Sequence, residues 1–221
     1  MDRVETGQRV RERLLAAPNV QHVPVEEVDL FILRDFLDAD QCAALIELID
    51  VNRKRSRLFG DHPDPEFRTS ETCNLDPAEA VVIEAEAGFH RLIGLAPEYG
   101  ERLQGQRYEA GQQFKPHHDY LRTSEPYWPR QQAIGGQRTW TAMVFLDAPE
   151  KGGATYFPLL DLTLPPRRGN LIVWNNLDAA GEPNRMTLHQ GMPVEAGVKH
   201  IVTKWWRERP WGLSPDVSGR A

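Results

Sequence analysis

The second half of the chain, from about residue 102 onward, has a residue pattern that leaves few folds open. Short runs of alternating apolar and polar residues, rich in β-branched and aromatic side chains, are separated by Gly and Pro turns. Seven or eight strands in about 105 residues are what a jelly roll or a small barrel requires. The runs predict strands at residues 104–110, 113–119, 138–146, 154–157, 170–174, 187–193 and 198–207.

The first half of the chain carries helical signals instead. Residues 28–33 are predicted to form a strand. Asp38 and Asp40 then suit the N-terminus of a helix that runs to about residue 49, with apolar side chains spaced to bury one face. A second helix is predicted over about residues 78–95, where the apolar positions again follow helical spacing.

These patterns predict one α+β domain with flanking tails. Residues 28–100 are expected to form a helical support region, and residues 101–211 the β-core of the same domain. Residues 1–27 are interpreted as an N-terminal tail, in which a weak amphipathic pattern also allows a short helix. Residues 212–221 are interpreted as a C-terminal tail.

Composition excludes several classes of function. The chain of 221 residues has 26 Lys plus Arg against 32 Asp plus Glu, a net charge of -6, so a nucleic-acid partner is not expected. The two cysteines, Cys42 and Cys73, are too few for a disulfide scaffold, which favours a reducing compartment. No signal-peptide pattern and no run of about 18 apolar residues occurs, so we expect a soluble, cytoplasmic protein with no membrane partner.

Three histidines and one aspartate suggest a metal site. A strand sends successive side chains to opposite faces, so His117 and Asp119 share a face and His118 points away. His189 lies on another predicted strand, and the fold must bring it to this pair. Two imidazoles and one carboxylate leave coordination positions open, as a non-haem Fe(II) oxygenase requires. The tripeptide alone fits a surface His pair equally well.

Lys199 adds a possible anion site. A predicted hairpin with a Gly-containing turn returns Lys199 to the neighbourhood of His189, ten residues earlier. If Lys199 faces inward with Ile201 and Thr203, its buried ammonium needs an anion. The alternative, in which Lys199 faces water and the other face of the strand is buried, fits the alternation equally well.

With these residues in view, the sequence resembles the prolyl 4-hydroxylase branch of the Fe(II)/2-oxoglutarate-dependent dioxygenases, especially small bacterial members. The resemblance covers about residues 28–211. The family's metal motif falls on His117, Asp119 and His189, and its 2-oxoglutarate lysine falls on Lys199. The other matching segments are Glu101-x-Leu103-Gln104-x-x-x-Tyr108-x-x-Gly111, Gly135-Gly136-Gln137-Arg138, Gly152-Gly153-Ala154-Thr155-x-Phe157-Pro158, Gly169-Asn170-x-x-x-Trp174-Asn175 and Lys204-Trp205.

The resemblance implies a double-stranded β-helix (jelly roll) core, Fe(II) as the metal, and 2-oxoglutarate and O₂ as co-substrates. It implies hydroxylation of prolyl residues in a peptide or protein, with succinate and CO₂ as co-products and ascorbate as reductant. A homodimer is a further possibility. Two other hypotheses stay open. One is a 2-oxoglutarate oxygenase acting on a free amino acid or small metabolite, and the other is a metal-binding jelly roll without catalysis.

The resemblance also implies roles for individual side chains. Tyr108 and Thr141 are assigned to the 2-oxoglutarate pocket. Arg138, Glu101 and Trp205 are assigned to holding the peptide substrate. Independently of the resemblance, the insert at residues 123–134 is aromatic enough to be a lid or a peptide-contacting loop, so Tyr127 and Trp128 are also expected to contact the substrate. Arg68 begins a short motif that the resemblance places in a structural position or at the rim of the site.

Three positions depart from the pattern of the relatives. Phe114 stands where relatives often carry tyrosine, and Phe145 stands where some relatives place a tyrosine hydroxyl near the co-substrate, so those hydroxyl groups are absent here. Arg207 stands where some plant and algal relatives have a histidine associated with substrate. These departures affect the expected substrate preference more than the iron chemistry.

Overall fold

The computed structural model describes residues 2–58 and 63–212 of the chain. Within these residues there are four α-helices, α1 (Arg3–Ala16), α2 (Ala39–Asn52), α3 (Ala80–Ile93) and α4 (Trp128–Ala133). The strands in the same ranges are β1 (Val20–His22), β2 (Leu30–Leu33), β3 (Lys54–Arg55), β4 (Glu71–Asn74), β5 (Gln104–Glu109), β6 (Phe114–His117), β7 (Arg138–Phe145), β8 (Lys151–Gly152), β9 (Thr155–Phe157), β10 (Leu162–Leu164), β11 (Leu171–Asn175), β12 (His189–Gly191), β13 (Val194–Ala196) and β14 (Val198–Arg207).

The strands form two facing antiparallel sheets. The major sheet has the order β1-β2-β11-β7-β14-β5-β4-β3, and the minor sheet has the order β10-β9-β12-β6. A short β8–β13 pair lies outside both sheets. Side chains of the two sheets meet in one apolar cluster that includes Phe145, Phe157 and Trp174. The α+β, jelly-roll prediction is therefore confirmed.

Strand β7 explains why the major sheet is covered on both faces. Trp140, Ala142 and Val144 are buried in the cluster that holds the helices, whereas Met143 and Phe145 belong to the cluster between the sheets. Successive side chains of a strand alternate between faces, and here both sets are apolar. The sheet therefore separates a helical layer from the interior of the jelly roll.

The helices begin and end where local chemistry favours it. Asp38 accepts a hydrogen bond from Gln41 N at 2.8 Å, and the Gln41 side chain accepts one from Asp38 N at 3.1 Å. This reciprocal cap satisfies two backbone donors at the start of α2. Helix α3 ends at Gly94, which adopts a left-handed conformation with φ of 75°.

The prediction that residues 1–27 form a tail is wrong for residues 2–27, which the structure describes. Val10 and Leu14 of α1 are fully buried in the helical layer, and β1 extends the major sheet by pairing with β2. The amphipathic signal is weak because α1 buries only a narrow stripe of its surface. The predicted C-terminal tail lies outside the described residues except for Gly212.

The boundary predicted at residue 100 does not separate the support region from the core. Strands β2, β3 and β4 come from the first half of the chain, yet all three join the major sheet. The helices of the same region pack on its outer face. None of the helices in the described ranges is long and apolar enough to cross a membrane.

Candidate metal centre and substrate cavity

Three predicted metal ligands converge between the sheets. β6 ends at His117, Asp119 follows two residues later, and His189 opens β12 directly opposite His117 in the sheet pairing. The His117 Nε2 to Asp119 Oδ1 distance is 3.9 Å, and the His189 Nε2 to Asp119 Oδ2 distance is 4.0 Å. The three ligand atoms lie within 4.8 Å of one another. These distances are too long for hydrogen bonds and place the three atoms around one point.

A hydrogen bond on the far side of each imidazole decides which of its nitrogens faces the point where the three ligand atoms converge. His117 Nδ1 donates to Lys115 O at 2.8 Å, and His189 Nδ1 donates to Thr187 O at 2.9 Å. A carbonyl oxygen only accepts, so Nδ1 carries the proton and Nε2 keeps its lone pair for a metal. Burial, together with the neighbouring His189, lowers the pKa of His117 well below its usual value and keeps it neutral.

Asp119 is the anionic member of the set. Burial alone would raise its pKa, but the two imidazoles and Arg138 lower the pKa of Asp119 on balance. Two imidazoles that present Nε2 and one carboxylate, converging in a partly polar cavity, form a donor set that fits Fe(II). His118, as expected, points elsewhere: its Nε2 donates to Arg185 O at 3.0 Å.

Thr141 lies behind Asp119 rather than in the cavity wall. Its hydroxyl donates to Asp119 Oδ2 at 2.9 Å and accepts from Asn176 Nδ2 at 2.8 Å. Asn176 in turn accepts from Trp174 Nε1 at 3.0 Å. Thr141 therefore orients the carboxylate and has no direct access to a co-substrate, which corrects the role predicted for it.

Lys199 faces inward and is buried, which decides between the two alternatives left open by the sequence. Its Nζ donates to Gly153 O at 2.9 Å and lies 4.5 Å from the ring centroid of Tyr108. Burial lowers the pKa of Lys199 to about 8, and the charge of Asp147 offsets only part of that effect. In the described ranges no salt bridge joins a carboxylate to this ammonium.

The predicted hairpin between His189 and Lys199 is wrong. β12 belongs to the minor sheet and β14 to the major sheet, so the chain crosses from one sheet to the other between them. Lys199 still lies near the triad, because the side chains of both sheets point into the same interior. Both faces of β14 are buried, which is why alternation along it was uninformative.

A cavity of about 690 Å³ opens above the triad. This volume lies in the range of small-molecule and cofactor sites. The predicted residues that line it are His117, Asp119, His189, Lys199, Tyr108, Arg138, Trp205 and Tyr127.

Arg138 and Glu101 form a buried ion pair. Arg138 donates through Nε and Nη2 to the two carboxylate oxygens of Glu101, at 2.6 and 2.8 Å, and its guanidinium lies 4.0 Å from the ring centroid of Trp205. Arg138 and Trp205 line the cavity, but Glu101 does not. Glu101 therefore holds Arg138 in place, which corrects its predicted role as a direct substrate contact.

The insert at residues 123–134 contains helix α4 and forms one wall of the cavity. Tyr127 lines the cavity, and its hydroxyl accepts from Arg122 N at 3.2 Å. Trp128, predicted as a substrate contact, does not line it. Adjacent positions at the start of a helix point in different directions, which accords with Tyr127 lining the cavity while Trp128 does not.

Arg68 was predicted as structural or at the rim of the site, and Phe114 was noted only as a departure from the relatives, yet both line the cavity. The Phe114 ring stacks on the His117 imidazole, with centroids 3.5 Å apart, and the Arg68 guanidinium lies 4.7 Å from the Phe114 centroid. The signal for Arg68 was its short motif before the core, and the signal for Phe114 was its place three residues before His117. Neither signal specifies which way the side chain points.

Phe145 and Arg207, two of the positions that depart from the relatives, do not line the cavity. Phe145 is buried in the cluster between the sheets. Arg207 is buried behind Arg138 and shares Glu101 with it. Arg207, which was expected to affect substrate preference, therefore does not face the cavity.

Comparison with known proteins agrees with the site. The 2OG-Fe(II) oxygenase superfamily matches residues 103–207. Human prolyl 4-hydroxylase subunit alpha-3 is 30% identical over 92% of this chain and 39% of its own length. Probable prolyl 4-hydroxylase 6 of Arabidopsis thaliana is 30% identical over 82% of this chain and 70% of its own length. The chain thus spans about two fifths of the human relative.

Solved structures show the same fold. The viral collagen prolyl hydroxylase of Paramecium Bursaria Chlorella virus-1, in its 2OG complex, superposes with a TM-score of 0.62 and 26% identity, over 80% of this chain and 94% of that one. A Pseudomonas putida prolyl-4-hydroxylase superposes with a TM-score of 0.54 at 17% identity, over 92% of this chain and 99% of that one, which supports the fold alone. The chain therefore belongs to the prolyl 4-hydroxylase-like group of the 2OG-Fe(II) oxygenase superfamily, whose members use Fe(II), 2-oxoglutarate and O₂.

Proposed function

We propose that this protein is an Fe(II)- and 2-oxoglutarate-dependent dioxygenase that hydroxylates prolyl residues in a peptide or protein. The observation that carries the proposal is one cavity that holds both a His-Asp-His triad and a buried lysine without a carboxylate partner in the described residues. A buried ammonium of this kind is costly unless an anion joins it. The distal carboxylate of 2-oxoglutarate supplies that anion.

The roles of the residues around the metal follow from their contacts. His117, Asp119 and His189 would hold Fe(II), and Thr141 keeps the Asp119 carboxylate oriented. Bound Fe(II), together with 2-oxoglutarate and O₂, supplies the oxidation that replaces a C–H bond of the substrate by C–OH and releases succinate and CO₂. Lys199 binds the far end of the diacid, so shorter keto acids lose this charge-assisted contact.

The substrate would enter over the wall formed by Arg138, Trp205 and Tyr127. Prolyl segments favour the extended polyproline II conformation, which presents pyrrolidine rings to aromatic side chains. The Trp205 ring, with Arg138 stacked on it, offers such a surface beside the triad. The names of the relatives, which include a viral collagen prolyl hydroxylase and a prolyl hydroxylase with a hypoxia inducible factor peptide, support a peptidyl substrate.

The other expectations remain predictions within this proposal. Ascorbate would serve as the reductant that restores Fe(II). A cytoplasmic location accords with Cys42 and Cys73, which are both buried free thiols. A homodimer also remains a prediction.

The first test is an anaerobic titration with Fe(II) and 2-oxoglutarate, monitored by the visible charge-transfer absorption of the chelate. We expect a band that needs more 2-oxoglutarate in Lys199→Ala and is absent in His189→Ala. Absence of the band in the unaltered protein would refute the oxygenase.

The second test compares succinate release with short proline-containing peptides and with free amino acids. Stimulation by the peptides supports the proposed substrate class. Stimulation by a free amino acid, with none by the peptides, would replace the peptide substrate by a small metabolite.

A further inference from the structure

The wall segment, residues 120–134, follows Asp119 and ends at the turn that leads into β7. Leu121, Arg122, Glu125 and Tyr127 of this segment line the cavity. A wall made of an irregular segment and one short helix has little regular structure to fix its position. Its contacts with the body of the fold therefore decide how wide the cavity is above the triad.

Gln137 fixes the first end of the wall segment. Its side-chain oxygen accepts from Leu121 N at 2.6 Å, and its side-chain nitrogen donates to Leu121 O at 2.8 Å. The Gln137 side chain is fully buried. The amide thus pairs with both backbone groups of Leu121 as a neighbouring strand would.

Arg207 fixes the second end. Its Nη2 donates to Gln131 Oε1 at 2.8 Å, and its Nη1 donates to Gly136 O at 2.5 Å. Gln131 lies on α4 and is buried, and only 1% of Arg207 is exposed. The guanidinium therefore holds α4 and the turn after it to the last residue of β14.

The same guanidinium is joined to the cavity through Glu101. Arg207 Nε donates to Glu101 Oε1 at 2.5 Å, and Arg138 Nε donates to the same oxygen at 2.6 Å. Burial alone would raise the pKa of Glu101, but the two guanidinium groups lower it on balance and keep the carboxylate charged. A continuous chain of buried polar contacts thus runs from α4 through Arg207 and Glu101 to Arg138.

We propose that Arg207 is a positioning residue that couples the wall segment to Arg138 and so sets the peptide-binding width of the cavity. This inference rests on the proposed function. Arg207 has three acceptors: Gln131 on α4, Gly136 in the turn after α4, and Glu101. Its planar guanidinium presents donors to all three in one fixed geometry. Gln131 and Arg207 do not line the cavity that holds the metal ligands and Lys199, so we expect replacement of either to change peptide binding more than binding of 2-oxoglutarate.

The sharpest test uses two neighbouring glutamines of α4. Gln131→Ala removes one contact of Arg207 and leaves every charge in place. Gln132→Ala is the matched control, because Gln132 is exposed and adjacent on the same helix. For each variant we would measure amide hydrogen exchange over residues 122–134 and the half-saturating concentrations of 2-oxoglutarate and of a short synthetic peptide of alternating proline and alanine.

We expect Gln131→Ala to speed exchange in the wall segment and to raise the half-saturating peptide concentration, both by about tenfold or more, the effect of one hydrogen bond to a charged group. The half-saturating concentration of 2-oxoglutarate stays unchanged, and Gln132→Ala matches the unaltered protein. Equal exchange in both variants would overturn the proposal. So would a loss of 2-oxoglutarate affinity as large as the loss for peptide.

A second pair of variants separates positioning from a general loss of structure. Arg207→Lys keeps a cation for Glu101 but lacks the planar fork, so we expect looser peptide binding with a folded protein. Arg207→Met also removes the cation and is expected to loosen the peptide further. If Arg207→Lys binds the peptide as tightly as the unaltered protein does, the planar guanidinium is not required, which would contradict the proposal. Amide hydrogen exchange needs no enzymatic turnover. It therefore tests the coupling between Arg207 and the wall segment even if the proposed activity is not found.

Discussion

Replacing Lys199 by methionine should make the metal-free, ligand-free protein more stable while weakening its binding of 2-oxoglutarate. Methionine keeps the length of the side chain and removes the charge. Lys199 is buried, and among the described residues its ammonium donates to Gly153 O and lies against the face of the Tyr108 ring. The variant therefore removes a charge that the ligand-free fold holds at a cost.

The magnitude follows from the pKa. Burial lowers the pKa of Lys199 from 10.5 to about 8. At about 1.4 kcal/mol for each tenfold change in an equilibrium constant, the charged ammonium costs the fold about 3 kcal/mol. The hydrogen bond to Gly153 O returns about 1 kcal/mol, which the variant loses. The net gain in the free energy of unfolding should be about 2 kcal/mol.

The pH dependence has a definite sign. The pKa of Lys199 is lower in the folded protein than in the unfolded chain, so the cost is fully present below pH 8. It fades as the pH rises towards 10.5, where the unfolded chain also loses its proton. The stability advantage of Lys199→Met should therefore be largest near pH 7 and shrink above pH 8.

Urea unfolding of both proteins at several pH values, without iron or 2-oxoglutarate, measures this advantage. Lys204→Met is the matched control on the same strand, because Lys204 is equally buried but paired with Glu86 at 2.6 Å. Its removal leaves Glu86 without that cation and should cost about 3 kcal/mol. A Lys199→Met protein as destabilised as Lys204→Met would refute the reasoning.

Three further predictions concern single side chains. Thr141→Val removes the hydrogen bond to Asp119 Oδ2 and should weaken Fe(II) binding about tenfold to a hundredfold, measured by competition with a chelator. His189→Ala should abolish both the visible chelate band and succinate release while the circular dichroism spectrum stays the same; a surviving band would place the metal elsewhere. Asp147 and Asp50 raise the pKa of His200 against the effect of burial, so the stabilisation is full below pH 6.5 and is lost as the pH rises through the elevated pKa. Urea unfolding from pH 6 to 9 should show this loss, and His200→Gln should remove it.

Strand alternation predicted the β-rich core and placed His117 and Asp119 on one face. The choice of a jelly roll over a small barrel, and of His189 as the third metal ligand, came from the family resemblance, because the His-x-Asp tripeptide alone fits a surface His pair equally well. The structure shows His189 directly opposite His117. The same alternation failed for β14, because a strand buried on both faces carries no polar side to reveal its orientation.

Tertiary structure decided which residues reach the cavity and which stand behind it. Glu101 and Arg138 are distant in the chain, and only the folded structure shows that Arg138 faces the cavity while Glu101 supports it. The role of Arg207 was equally invisible, since its partners Gln131 and Glu101 are distant in the chain. A sequence specifies the chemistry each side chain can perform and its local direction; contacts between distant segments, which depend on how the sheets and helices pack, determine whether that chemistry meets a substrate.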